Sequence, residues 1–223
     1  MAPLFLSKEW AKPADTPVMK RILLPLLLWC LPLQAAEPLE AVELYTQDQL
    51  LTMLRSNSHL AQVRRDDCQL VEDIEARAKV LKVPAYQMLW ADMLLYGVCV
   101  ERDVDLGFDF LYQSARQGLP DALEQLGRYH IEGRFVVVDE PHGLRLLYQA
   151  ASLGHERALL SLAAHYAQGK GSPRDYPQVY LWLHETVYDR AEQRQQAQEY
   201  KDQLAQRLPP SVREHTRRTA LGR

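Results

Sequence analysis

Three cysteines, seven histidines and one lysine-bearing glycine turn are the residues of this 223-residue chain with chemistry beyond packing. Two thiols can join as a disulfide, hold a metal or act as nucleophiles. Cys68 and Cys99 have no histidines at zinc-site spacing, so no metal is expected there. His59, His130, His142, His155, His165, His184 and His215 are scattered. His184-Glu185 continues as Thr-Val-Tyr and so lacks the second histidine of a zinc-protease helix. Gly169-Lys170-Gly171-Ser172 ends like a phosphate loop, but the upstream glycine spacing is missing. No nucleophile elbow or dinucleotide fingerprint occurs. The acidic run Asp66, Asp67, Glu72, Asp73 and Glu75 fits a solvated face better than a cation site. A net charge of −3 argues against a nucleic-acid binder. These residues therefore carry no catalytic motif, and no cofactor and no metal are expected from them.

The elements that would position these residues begin with a leader. Lys20 and Arg21 precede a dozen apolar residues, Ile22 to Leu33, and Gln34-Ala35-Ala36 follows. This order of basic, apolar and small residues is that of a secretory signal peptide. The run is too short for a membrane-spanning helix and contains Pro25 and Pro32. We therefore assign 19–36 as a signal peptide starting at Met19, with cleavage after Ala35 or Ala36. Residues 1–18 then form an extension or untranslated segment. An uncleaved anchor is the alternative, and a lipoprotein cysteine is disfavoured because Leu28-Trp29 precede Cys30. Removing the leader takes the net charge from −3 to −5 and leaves two cysteines. A cysteine pair in an exported chain reads as a disulfide.

Beyond the leader the chain repeats every 36 residues. Gly97, Gly133 and Gly169 keep this spacing, and so do Asp103, Asp139 and Asp175. Trp90, Leu126 and Leu162 follow without gaps, as do Ala91, Gly127 and Ala163, and Leu111, Leu147 and Leu183. Each unit reads as two helices. Ala122, Leu126 and Tyr129 fall at helical spacing before Gly133. Asp139 sits where an N-cap belongs, with Pro141 in the next turn. One hairpin cannot bury both faces, so stacking must supply the core.

The pattern Ala122, Leu126, Gly127, Tyr129, Gly133, Val136, Asp139, Ala150, Ala151, Gly154 resembles the Sel1-like repeat family, a relative of the tetratricopeptide repeats. The expected fold is all-α, a helical-hairpin solenoid with repeats over 84–120, 121–156 and 157–190. The third copy ends at Arg190 in place of glycine, as a terminal repeat would. Stepping the period backwards gives a capping half-repeat over 67–83, its helix opened by a capping box of Asp66 and Gln69. Thr46 and Gln49 open a shorter helix within an N-terminal segment, 37–66. Residues 191–223 form a C-terminal helix and a basic tail. In this register Cys68 and Cys99 lie at the same end of adjacent hairpins, so a bond between them is expected, with two free thiols as the alternative.

A narrower resemblance rests on Cys68-Gln-Leu-Val-Glu-Asp-Ile74, Gly97-Val-Cys-Val-Glu101, Ala122-Leu-Glu-Gln-Leu-Gly-Arg-Tyr129 and Gly171-Ser-Pro173. These segments, and the order of the regions, are similar to the MotX family of sodium-driven polar flagellar motors. The resemblance implies a periplasmic location at the flagellar basal body. It also implies a ring shared with a MotY-like protein and contact with the periplasmic domain of a PomB-like stator subunit. The role it implies is non-enzymatic and without a small-molecule substrate. Partner contacts are expected on the N-terminal segment and on the concave repeat face, with Trp90, Arg128, Tyr129 and Tyr166 as candidate residues. A generic Sel1-like periplasmic adaptor in envelope signalling or secretion is the alternative. A peptidoglycan hydrolase is a third reading, without paired carboxylates or a nucleophile–base pair to support it.

Overall fold

A computed structural model describes residues 45–220 and Gly222. The extension, the signal peptide with Cys30 and both cleavage positions, and residues 37–44 of the N-terminal segment lie outside the described residues. Eleven helices follow one another among the described residues, with no strand between them. They are α1 (Gln47–Arg55), α2 (His59–Arg65), α3 (Val71–Lys79), α4 (Pro84–Tyr96), α5 (Val104–Arg116) and α6 (Pro120–Glu132). Then come α7 (Glu140–Ser152), α8 (Glu156–Ala167), α9 (Tyr176–Glu185), α10 (Ala191–Arg207) and α11 (Pro210–Ala220). None of the described helices is long and apolar enough to cross a membrane.

Local signals set most boundaries. Pro84 and Pro120 stand at the first helical position of α4 and α6, behind the extended Val83 and Leu119. Both helices end on a left-handed glycine, Gly97 and Gly133. Asp103 and Asp139 cap α5 and α7 by accepting from the amides of Leu106 and His142. Thr46 and Gln49 form the full capping box of α1.

Two expected caps are absent. Asp66 does not open α3, whose N-cap is Leu70. The Asp66 carboxylate instead accepts from the Tyr45 hydroxyl and from Gln62. Asp175 adopts helical backbone angles and makes no side-chain cap, and its carboxylate faces the Tyr166 hydroxyl. The basic tail is itself helical: α11 turns back at Leu208-Pro209 and packs on α9.

The hairpins α4–α5 and α6–α7 are the tightest pairs in the stack. Their closeness depends on small residues at the crossing. A methyl group on Gly143 would lie 2.6 Å from the Gly127 carbonyl oxygen, and one on Gly127 would lie 2.9 Å from the Gly143 oxygen. Gly107 holds the equivalent place in α5, against Leu95 and the Ala91 carbonyl. Apolar faces of all three hairpins then merge into one core through Leu89, Leu111, Leu126, Leu147, Leu162 and Leu183.

A disulfide joins Cys68, in the turn before α3, to Cys99, in the loop after α4. It ties the N-terminal helices to the first hairpin.

Two outcomes follow from this packing. Gly143→Ala should destabilise by about 1–3 kcal/mol through forced separation of α6 and α7, read from urea unfolding. Cys68→Ser should cost about 3–4 kcal/mol, because the bond closes a loop spanning 31 residues. Free alkylation of both thiols without reductant would contradict the bond.

Candidate functional site

An open row of first helices would leave a concave surface for partners. In this chain that side is covered by the chain's own ends. Every residue of α4 from Ala85 to Leu95 is buried, and so is every residue of α6 from Asp121 to Gly127. The buried set includes Asp92, Asp121, Glu124 and Gln125, which cannot be left without partners in a dry interior.

The N-terminal helices supply part of the answer. His59 of α2 lies 2.8 Å from the Asp92 carboxylate, and both side chains are 3% exposed. Asp92 also accepts from Gln125, which donates to the Tyr129 hydroxyl at 3.1 Å. Tyr129 and Tyr96 share a hydroxyl hydrogen bond of 2.7 Å. Arg55, at the end of α1, reaches Asp121 at 3.4 Å, and His155 approaches the same carboxylate oxygen at 3.3 Å. Arg157 donates to Glu124 at 2.9 Å and to the Arg55 carbonyl at 3.3 Å. Thus α1 and α2 are held across α4, α6 and α8.

The C-terminal end covers the rest. Helix α10 packs on α8, with Arg190, Gln193, Gln196 and Tyr200 facing Arg157, Leu160, Ser161 and Ala164. The two arms meet where Arg55, Arg157 and Arg190 line one small cleft of about 260 Å³.

The ionisation of this network follows from its surroundings. Burial alone would raise the Asp121 carboxyl, but its hydrogen bond to His155 and the charge of Arg55 outweigh that, and it sits below its usual range. Burial, reinforced by Asp92 and Tyr96, pushes the Tyr129 phenol up. On the other side of the hairpins, His130 bonds the Tyr112 hydroxyl at 2.7 Å and meets His142 edge-on at 4.5 Å. Burial and the neighbouring His142 lower its pKa.

The residues expected at partner contacts divide sharply. Trp90 (4% exposed), Tyr129 (1%) and Tyr166 (2%) are core side chains between the hairpins, because the arms and the second helices enclose them. They offer no surface to a rigid partner, a correction to the expected contact set. Arg128 is the accessible member: it stacks over the Tyr129 ring at 4.9 Å and pairs with Glu124 and Glu132. Lys170, of the phosphate-like turn, pairs with Glu140 at 2.7 Å and serves the loop between α8 and α9. No group of three metal-ligating side chains occurs among the described residues.

Sequence reading missed Arg55, His59, His155 and Arg157. Their one visible signal is indirect: charged residues on the first helices fall at positions where the helical period calls for burial.

Comparison with known proteins adds an independent line. The Sel1 repeat family matches residues 84–119, 120–155 and 157–185. The sodium-type polar flagellar protein MotX of Vibrio parahaemolyticus is 40% identical over 178 residues, spanning 80% of this chain and 84% of that protein. Among solved structures, a Sel1 repeat protein from Oxalobacter formigenes aligns with a TM-score of 0.44 at 22% identity, covering 66% of this chain and 96% of that one. A protective antigen from uropathogenic Escherichia coli strains, displaying an SLR fold, aligns with a TM-score of 0.40 at 20% identity, covering 61% and 32%.

The network has a testable pH signature. Because the folded pKa of Asp121 is depressed, its contribution is present above the unfolded value, near 3.8, and is lost as pH falls through the folded value. Asp121→Asn should therefore cost about 1–3 kcal/mol at pH 7. The gap to the parent protein should narrow below pH 4 in urea titrations. An equal gap at pH 7 and pH 3 would contradict the assignment.

Proposed function

The chain belongs to the MotX family of Sel1 repeat proteins, and from that premise we propose that it is a structural component of a sodium-driven polar flagellar motor. It acts in the periplasm at the basal body, exported by its signal peptide. There it forms a ring with a MotY-like protein and helps hold the stator through the periplasmic domain of a PomB-like subunit. Its role is non-catalytic. The observation that carries this reading is the similarity to MotX over most of both chains.

The architecture suits such a role. A single apolar core, an N-terminal arm held through His59–Asp92 and Arg55–Asp121, and a disulfide make a closely packed body suited to a structural part. Because the arms occupy much of the first-helix side, partner contacts fall on the outer loops, the second helices and the accessible edge of α6. Arg128 remains the proposed contact among the four candidates. Trp90, Tyr129 and Tyr166 act from beneath by holding the surface in place. The described part of the N-terminal segment contributes its exposed face, since its inner face is committed to α4 and α6.

Deletion of the gene should abolish swimming in sodium medium while flagellar filaments remain, and a fluorescent stator subunit should leave the flagellated pole. A deletion strain that swims normally with stators still at the pole would refute the proposal.

A further inference from the structure

The repeat register allows side chains at one structural position to be compared between copies. The loop between the two helices of a hairpin carries Cys99 in the first copy, Phe135 in the second and Gly171 in the third, each 36 residues apart. Phe135 folds back onto its hairpin. Its ring lies 5.4 Å from Tyr96, 5.5 Å from Tyr129 and 6.5 Å from Phe108. It plugs the space beside the second helix of its neighbour.

Gly171 has no side chain to do this. Its backbone is left-handed (φ +74°), and a methyl group there would lie 2.4 Å from the Tyr166 ring. The Tyr166 ring takes the place where a side chain at 171 would begin, and beside it the space that faces α7 is left open. It forms a groove of about 720 Å³ between α7 and the loop 170–175. Leu144 and Tyr148, the register equivalents of Phe108 and Tyr112, form its apolar wall, and Tyr166 forms its floor.

The charges at the rim are specific. Lys170 is already paired with Glu140, and the Asp175 carboxylate faces the Tyr166 hydroxyl at 3.5 Å. Arg145 is exposed and has no carboxylate partner among the described residues; its one polar contact is His142 Nδ1 at 3.3 Å. An arginine fork beside an apolar groove selects a carboxylate next to a bulky ring.

We propose that this groove docks a segment of a protein partner presenting an aromatic side chain flanked by a carboxylate. The ring packs on Leu144 and Tyr148, as Phe135 packs beside Phe108 in the preceding copy, and the carboxylate pairs with Arg145. The surface is separate from the first-helix side closed by the arms, and the inference does not depend on the motor assignment.

The test uses the purified full chain titrated with acetyl-Glu-Phe-Glu-amide and followed by amide NMR shifts. Saturable shifts confined to residues around 144–148 and 170–172 are expected, with affinity on the order of millimolar, as suits one side chain and one ion pair. Acetyl-Glu-Ala-Glu-amide should give none, and acetyl-Lys-Phe-Lys-amide should bind at least about threefold more weakly. Arg145→Glu should weaken binding by about five- to tenfold. Ser172→Trp, at an exposed rim position, should block it while leaving the unfolding midpoint unchanged. Scattered shifts, no shifts, or equal binding of the alanine peptide would overturn the proposal. Concentration-dependent dimerisation producing the same shifts without peptide would overturn it too, by making the occupant a second copy of the chain.

Discussion

Three buried carboxylates govern how this chain can fold. Asp92, Asp121 and Glu124 stand on first helices where the repeat demands burial, and a bare carboxylate in that setting costs several kcal/mol. Each therefore needs a cation or a proton donor brought from elsewhere. The repeats supply Gln125 to Asp92, His155 to Asp121, and Arg128 and Arg157 to Glu124, while the N-terminal helices add His59 and Arg55. Packing the N-terminal helices onto the hairpins thus completes the partner sets of Asp92 and Asp121 as it buries them.

This dependence couples elements that a linear repeat array would leave independent. In a simple solenoid each unit touches only its neighbours, and stability is close to a sum of local terms. Here Arg157 of α8 bonds the carbonyl of Arg55, 102 positions away, and α10 folds back over α8. Contacts of that span make unfolding of one end costly to the other. The disulfide between Cys68 and Cys99 strengthens the same coupling, since it anchors the turn from which α2 and α3 depart.

The sequence made the periodic part of this legible. Glycines at 97, 133 and 169 and aspartates at 103 and 139 are local signals, each read within a turn of the residue concerned. The capping box at Thr46 was equally plain. What failed was any inference in which a polar side chain had a choice. Asp66 and Gln69 fit a capping box by spacing, yet the carboxylate is taken by Tyr45, 21 positions earlier. Trp90, Tyr129 and Tyr166 look like exposed recognition residues only if the first-helix side is open. Nothing in a repeat pattern announces that the flanking helices close it. Gly107 and Gly143 were a missed signal that was present: they are 36 apart and mark where two helices must touch.

The register is most informative where it is broken. A shared backbone frame with a changed side chain isolates what that side chain does, since the surrounding geometry is nearly constant. At one loop position the three copies carry a cysteine, a phenylalanine and a glycine. The cysteine binds the preceding half-repeat covalently, the phenylalanine seals its hairpin with an aromatic cluster, and the glycine lets the Tyr166 ring approach and leaves a groove beside α7. The loop is thus fastened differently in each copy: by a covalent bond, by aromatic packing, and by the Lys170–Glu140 pair beside an open groove. Tyr148 keeps apolar surface beside the gap, whereas a polar side chain there would have made it an ordinary wet cleft. An apolar wall beside Arg145, an arginine without a carboxylate partner among the described residues, is what distinguishes the proposed recognition surface from a packing defect.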